Sequence, residues 1–228
     1  MKVAEIYRSI QGEGRLTGTE SVFVRASGCN LRCWFCDTPH ASWSPEGRDL
    51  SVDEIVAAVE EWDCRHVVLT GGEPMLFAEL IPLATQLHEA DRHITIETAG
   101  TLLLLVACDL MSVSPKLSNS TPPVARDSRW SRRHQRVRHA PDVIRKLVAE
   151  YEYQIKYVVD TPADCMEVEQ HLCQFPEIER ARVMLMPQGT DVDTLAATGR
   201  WLKPFCQENG YQFCPRRQIE WFGKARKT

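Results

Sequence analysis

Three cysteines crowd into eight residues, Cys29, Cys33 and Cys36, in the spacing Cys-x-x-x-Cys-x-x-Cys. Three thiolates on one short loop suit three corners of a cubane iron–sulfur cluster, whose fourth iron stays open to an outside ligand. Zinc is the competing chemistry. A structural zinc site wants four ligands, and His40 is near enough in the chain to be the fourth. Gly28 before the loop and the pair Trp34-Phe35 inside it favour the cluster, because the rings would shield it from water. The other six cysteines (Cys64, Cys108, Cys165, Cys173, Cys206 and Cys214) are scattered and read as ordinary buried thiols. In a secreted chain nine cysteines would suggest disulfides with one left over. In a reducing cytosol they point to ligands and buried thiols.

Two further places carry chemistry. Thr70-Gly71-Gly72-Glu73-Pro74 directly follows an apolar run. Glycines there let the backbone approach a ligand closely; alternatively the run is a plain strand–helix turn. Arg25 interrupts an apolar strand, where its fork of donors suits a carboxylate, bound or structural. The stretch 118–140 holds Pro122, Pro123, two histidines and Arg126, Arg129, Arg132, Arg133, Arg136 and Arg138. It reads as an inserted, mobile loop. It is either solvated, or a lid over an anionic substrate, or a contact for a redox partner.

Elements must hold these residues in place. Strands are predicted at 5–10, 21–27, 66–70, 93–98, 110–114, 154–159, 182–186 and 211–214, rich in Val, Ile and Tyr. Helices are predicted from the capping box at Ser51 to about Trp62, over 75–90, from Pro141 to 151, over 160–175, and over 191–209 with Gly210 as the stop. The alternation implies parallel strands with right-handed crossovers, in an α/β sheet or incomplete barrel whose site lies on the loops after the strands. At 228 residues, 43% hydrophobic and 25% charged, the chain suits a single domain spanning 1–228. The net charge of -4 offers no general case for nucleic acid or an anionic membrane. No apolar run approaches the roughly 18 to 20 residues of a membrane span, and the N-terminus lacks a secretion signal. The expectation is a cytoplasmic protein with neither nucleic acid nor membrane as partner.

The cysteine loop and the Gly-Gly-Glu-Pro run resemble those of the radical S-adenosylmethionine superfamily. There S-adenosylmethionine occupies the open iron of a 4Fe-4S cluster and is cleaved to a 5′-deoxyadenosyl radical. Within it the chain resembles the 7-carboxy-7-deazaguanine synthase family through Ile10-Gln11-Gly12-Glu13-Gly14, Phe23-Val24-Arg25, Cys36-Asp37-Thr38, Thr70 to Pro74, Glu97-Thr98-Ala99-Gly100-Thr101 and Ser112-Val113-Ser114-Pro115-Lys116. The resemblance implies an incomplete, modified (β/α) barrel and a carbon–nitrogen lyase. That lyase contracts the ring of 6-carboxy-5,6,7,8-tetrahydropterin with loss of ammonia, in queuosine and 7-deazapurine biosynthesis. It further implies Mg2+, a homodimer, and a reducing partner such as flavodoxin or ferredoxin.

Residue by residue, the resemblance puts substrate at Ile10, Gln11, Gly12, Glu13, Arg25 and Thr70. Cofactor falls to Phe35, Cys36, Asp37, Gly72, Glu73, Ser114, Pro115, Lys116, Met186, Pro187, Gln188 and Gly189. Cys29, Cys33 and Cys36 take the cluster, and Thr38 takes magnesium unless it only caps the next segment. The radical comes from the cofactor, so no side chain is assigned as catalytic. Two departures stand out: Ala99 replaces the Asn usual in the family, and 214–228 aligns with no substrate-binding end, which leaves Arg216 and Arg217 outside the site. Two other readings compete. One is an activase of a glycyl-radical enzyme; the other is a zinc-stabilised RNA-binding module.

Overall fold

Apolar strands and amphipathic helices alternate through most of the chain, and a computed structural model describes residues 1–223 and 225–227. The strands are β1 (Lys2–Ile10), β2 (Glu20–Ala26), β3 (Arg48–Asp49), β4 (His66–Gly71), β5 (His93–Thr98), β6 (Leu110–Val113), β7 (Tyr153–Val159), β8 (Val183–Pro187) and β9 (Gln212–Phe213). They form one sheet in the order β3-β1-β2-β4-β5-β6-β7-β8-β9, and its two ends do not meet. From β2 to β9 every pairing is parallel. The N-terminal edge departs from the all-parallel expectation: β1 runs antiparallel to both β2 and β3. The connection from β1 to β2, 11–19, is too short for a crossover helix, so the chain can only double back.

The helices are α1 (Val52–Glu60), α2 (Leu80–Glu89), α3 (Ser128–Val137), α4 (Pro141–Glu150), α5 (Pro162–Leu172), α6 (Val192–Asn209) and α7 (Arg217–Phe222). The capping box forms at Ser51 with Glu54, and Gly210 ends α6 in the left-handed region at φ 74°. Two helices differ from expectation. The segment after Pro74 makes a 3-10 turn, Pro74–Leu76, and then an extended Phe77 before α2 begins. The Glu73 side chain accepts from Met75 N and anchors that turn. The arginine-rich stretch is not the loop that its composition suggested. Asp127 caps α3 by accepting from Trp130 N at 2.9 Å, and Ser131 and His134 are its buried residues.

Strand alternation separates the two faces of the sheet. Val22 and Val24, Val67 and Leu69, Ile94 and Ile96, Met111 and Val113, Ile155 and Tyr157, and Val183 and Leu185 join the main core. Helical Ile55, Val59, Leu83, Leu87, Ile144, Leu147, Val168 and Leu202 complete that core. The intervening residues face the other way, among them Arg25, Thr70, Glu97, Ser112 and Lys156, and these line a cavity. One face of the sheet is therefore core, and the other is the wall of a site.

Candidate active site

The cavity, of about 580 Å³, opens where the parallel strands end. Of the residues singled out in the sequence, Ile10, Gln11, Gly12, Glu13, Arg25, Cys29, Cys33, Phe35, Cys36, Asp37, Thr38, Thr70, Gly72, Ser114, Lys116, Met186 and Gln188 all line it. Four do not. Glu73, Pro115, Pro187 and Gly189 are buried beside it, as packing or backbone supports. Glu73 lies 0% exposed, accepting from Met75 N at 3.1 Å, Ala99 N at 2.9 Å and Thr98 Oγ1 at 2.9 Å. Burial raises its pKa above the usual carboxylate range, against the pull of those donors.

The cysteine loop is held from both sides. Gly28 N donates to Ala41 O at 2.8 Å, and Glu73 N donates to Gly28 O at 2.8 Å. A Cβ on Gly72 would collide with the Gly28 and Ala41 carbonyls, so only glycine lets the two loops approach this closely. On the outer side Arg32 N donates to His134 Nδ1 at 3.1 Å, and Trp34 Nε1 donates to Asn119 O at 2.6 Å. Of the two rings expected to shield a cluster, Phe35 faces the cavity, whereas Trp34 is 43% exposed. Burial pushes the Cys29 thiol up to about 12 and the Cys33 thiol up to about 11, the latter opposed by Lys116. Bare, both thiols keep their protons, and a bound metal must displace them.

The donor set fits a cubane better than zinc. Among the described residues no three His, Cys, Asp or Glu side chains surround a point that one ion could occupy. A cubane takes one thiolate per iron, so its ligands stand apart. His40 turns towards β1, its Nε2 lying 3.5 Å from Glu5 Oε1.

A chain of paired charges crosses the cavity wall. Lys156 Nζ lies 2.8 Å from Glu97 Oε1 and 3.2 Å from Glu13 Oε2. Thr70 Oγ1 donates to Glu97 Oε2 at 2.8 Å. Arg216 Nε lies 3.2 Å from Glu13 Oε1, Arg216 Nη1 donates to Gly189 O at 2.7 Å, and Arg216 also pairs with Asp37. Gln218 Nε2 donates to Glu13 Oε1 at 2.5 Å. Burial alone would raise the Glu13 pKa; Lys156, Arg216 and the Gln218 bond overcome it and bring it down to about 2. Burial likewise opposes charge on Lys156, and Glu97 and Glu13 hold its pKa well above the ordinary lysine value. Both Glu13 oxygens are thus engaged within the protein, where the sequence suggested they could accept from a ligand.

Arg25 has a structural carboxylate as its partner and also lines the cavity. Its Nε donates to Glu5 Oε1 at 2.7 Å and its Nη2 to Tyr7 Oη at 2.8 Å, yet it lines the cavity. Gln11 Nε2 donates to Ser21 Oγ at 2.8 Å, which leaves Oε1 for a ligand. Thr38 occupies the cap position of the turn Pro39–Ala41, but its side chain makes no capping bond there; its Oγ1 lies 3.7 Å from Cys36 Sγ. The sequence reading missed Lys156 and Gln218 and set Arg216 aside, yet all three line the cavity.

Three thiols at the strand-end mouth of an open α/β sheet define a radical S-adenosylmethionine enzyme, and a model of the Radical SAM superfamily matches residues 23–137. The fold alone resembles that of QueE from Escherichia coli, with a TM-score of 0.70 at 23% identity, covering 95% of this chain and 93% of that one. The 7-carboxy-7-deazaguanine synthase of Rhodopirellula baltica is 46% identical over 227 residues, covering 99% of this chain and 88% of that protein. The same-named protein of Halobacterium salinarum is 40% identical over 238 residues, covering 100% of this chain and 93% of its own length. The chain belongs to the 7-carboxy-7-deazaguanine synthase family. Its superfamily carries a 4Fe-4S cluster and uses S-adenosylmethionine. Among the described residues no helix is long and apolar enough to cross a membrane.

Proposed function

We propose that the chain converts 6-carboxy-5,6,7,8-tetrahydropterin to 7-carboxy-7-deazaguanine by radical ring contraction with loss of ammonia, supplying queuosine and related 7-deazapurines. The observation that carries this reading is that the cysteine loop and the polar strand face open on one cavity, in a chain whose relatives of that name match it from end to end. When bound, the cluster and S-adenosylmethionine supply the hydrogen-atom abstraction that starts the reaction. The chain binds, orients and shields.

Cys29, Cys33 and Cys36 would hold the cluster. Phe35, Asp37, Gly72, Ser114, Lys116, Met186 and Gln188 would take S-adenosylmethionine, backed from below by Glu73, Pro115, Pro187 and Gly189. Ile10, Gln11, Gly12, Arg25 and Thr70 would receive the substrate. The Arg25 fork, steadied by Glu5 and Tyr7, is suited to a carboxylate. Glu13 would act indirectly, by holding Lys156 and Arg216 against the cavity wall. Magnesium would sit at the Thr38 hydroxyl with substrate carboxylate and water, the oxygen set that this ion prefers. A homodimer in the cytoplasm, reduced by a flavodoxin or ferredoxin, completes the proposal.

The test is anaerobic incubation with the pterin, S-adenosylmethionine, magnesium and dithionite, followed by mass detection of the product. Turnover is expected in the wild type and in Cys206→Ala, and none in Cys33→Ala. Ring contraction with loss of ammonia leaves the oxidation level unchanged, so deuterium at substrate C6 is expected in recovered S-adenosylmethionine. Accumulation of 5′-deoxyadenosine one-for-one with product would overturn the reading. Thr38→Ala is expected to blunt the magnesium response while Thr38→Ser retains it. A wild type indifferent to magnesium after chelation would remove the metal from the proposal.

A further inference from the structure

The outer side of the cysteine loop is covered by α3, and the charge on that helix is one-sided. Arg129, Arg132, Arg133 and Arg136 stand at i, i+3, i+4 and i+7, the spacing that gathers four side chains on one helical face. On a helix that packs through this stripe it would be apolar; here it is wholly cationic and wholly exposed. Arg138, on the opposite face, pairs with Glu167 at 3.6 Å, whereas none of the stripe arginines has an ion-pair partner among the described residues. Like charges at these spacings work against the helix that carries them. The stripe is also a local reversal of sign in a chain of net charge -4.

This helix and the cysteine loop are one unit. His134, 0% exposed, accepts from Arg32 N at 3.1 Å and meets Ser120 Oγ at 2.8 Å. The Arg32 guanidinium lies 4.1 Å from the centroid of the Trp130 ring. Arg32 itself sits between Cys29 and Cys33. Whatever rests on the arginine stripe is therefore separated from the cysteine loop by the thickness of α3, whose other face carries His134 and is fastened to that loop.

We propose that the exposed face of α3 is the docking surface for an acidic one-electron carrier protein that reduces the cluster; this rests on the reading that a protein donor supplies the electron. Charge complementarity fits such a partner to the stripe, and α3, fastened to the cysteine loop by its opposite face, is what would stand between the docked carrier and the cluster. The same arginines would suit RNA, but nothing in an RNA contact requires the helix to be fastened to the cysteine loop.

The experiment compares two reductants on the reconstituted holoenzyme. Dithionite needs no docking surface, whereas a reduced bacterial flavodoxin does. In Arg129→Glu/Arg132→Glu/Arg136→Glu the dithionite-driven rate and iron content are expected to match the wild type. The rate at limiting flavodoxin is expected to fall by about tenfold or more. Salt should slow the flavodoxin-driven wild type strongly and the variant little. The milder Arg129→Gln/Arg132→Gln/Arg136→Gln protein decides the matter if the glutamate protein loses its cluster. Equal flavodoxin-driven rates in wild type and variant overturn the proposal, as does a wild type that dithionite drives and flavodoxin does not. A 20-nucleotide RNA that binds the wild type and not the variant, with flavodoxin rates equal, reassigns the face to RNA. A wild type inactive with dithionite as well removes the radical reading beneath it.

Discussion

Two charged regions flank the cysteine loop and follow opposite rules. On the inner side, Glu97, Lys156, Glu13, Arg216 and Asp37 form an unbroken series of pairs that joins β5, β7, the loop after β1, the C-terminal segment and the cysteine loop. On the outer side, the α3 stripe is cationic and exposed, without an ion-pair partner among the described residues. Paired charge in a partly dry wall ties distant segments into one geometry, and removing one member leaves the rest uncompensated. Unpaired charge in water costs the fold little and keeps its field for something outside. The comparison predicts that inner substitutions are read in stability and outer ones in the kinetics of association.

Lys156→Met should break the inner region most severely. It leaves Glu13 and Glu97 without their shared cation at a site where the lysine side chain is 5% exposed, at a cost of about 3–5 kcal/mol in denaturant unfolding. A loss below about 1 kcal/mol would mean that the pairs are independent of one another. Acid should do similar damage more gently. The Glu13 pKa is lowered from 4.5 to about 2, so its contribution is complete above pH 4.5 and is lost as pH falls towards 2. It is worth about 3 kcal/mol, and should vanish from the pH profile of Glu13→Gln.

His134, which ties α3 to the cysteine loop, should lie between the two regions in effect. His134→Ala strands the half-buried Arg32 amide and should cost about 1–2 kcal/mol. Burial, Arg138 and Lys116 lower the imidazole pKa from 6.5 to about 4. Its stabilisation is therefore present above pH 6.5 and lost as pH falls towards 4, a window that opens earlier than that of Glu13. Two resolved windows in the pH dependence of unfolding would sharpen the comparison, and a single window would blur it. Smallest of all should be Arg129→Gln/Arg132→Gln/Arg136→Gln. Relieving like-charge pairs should leave stability within about 0.5 kcal/mol of the wild type, with a bias towards gain.

The inner region was only partly legible in the sequence, and the reasons differ by residue. The cysteines declare themselves by spacing, which is local. Lys156 carried a signal that went unused: it is the one charge in the apolar run Tyr153–Val159, and strand alternation puts it opposite Ile155 and Tyr157. Arg216 stood out but was set aside because 214–228 matched no substrate-binding end; its value lies in reaching Glu13 across 203 positions, a closure that only the folded sheet brings about. The outer helix escaped because hydrophobic periodicity has nothing to detect in a segment whose stripe is arginine. The Asp127 cap and the arginine spacing were its legible marks. The antiparallel start of the sheet was implicit in the short connection 11–19, which leaves no room for a crossover.

Glu73 bears on how this cavity could be redesigned. Its carboxylate grips the amides of Met75 and Ala99 and the hydroxyl of Thr98 without lining the cavity. A saturation scan would score position 73 as essential, and a search for ligand contacts would pass over it. Both results would be right, because the residue encodes the curvature of two adjoining loops and leaves contact to others. A library aimed at new substrates should hold 73, 98 and 99 as one linked set and spend its diversity on Gln11, Arg25 and Gln188, whose side chains face the cavity.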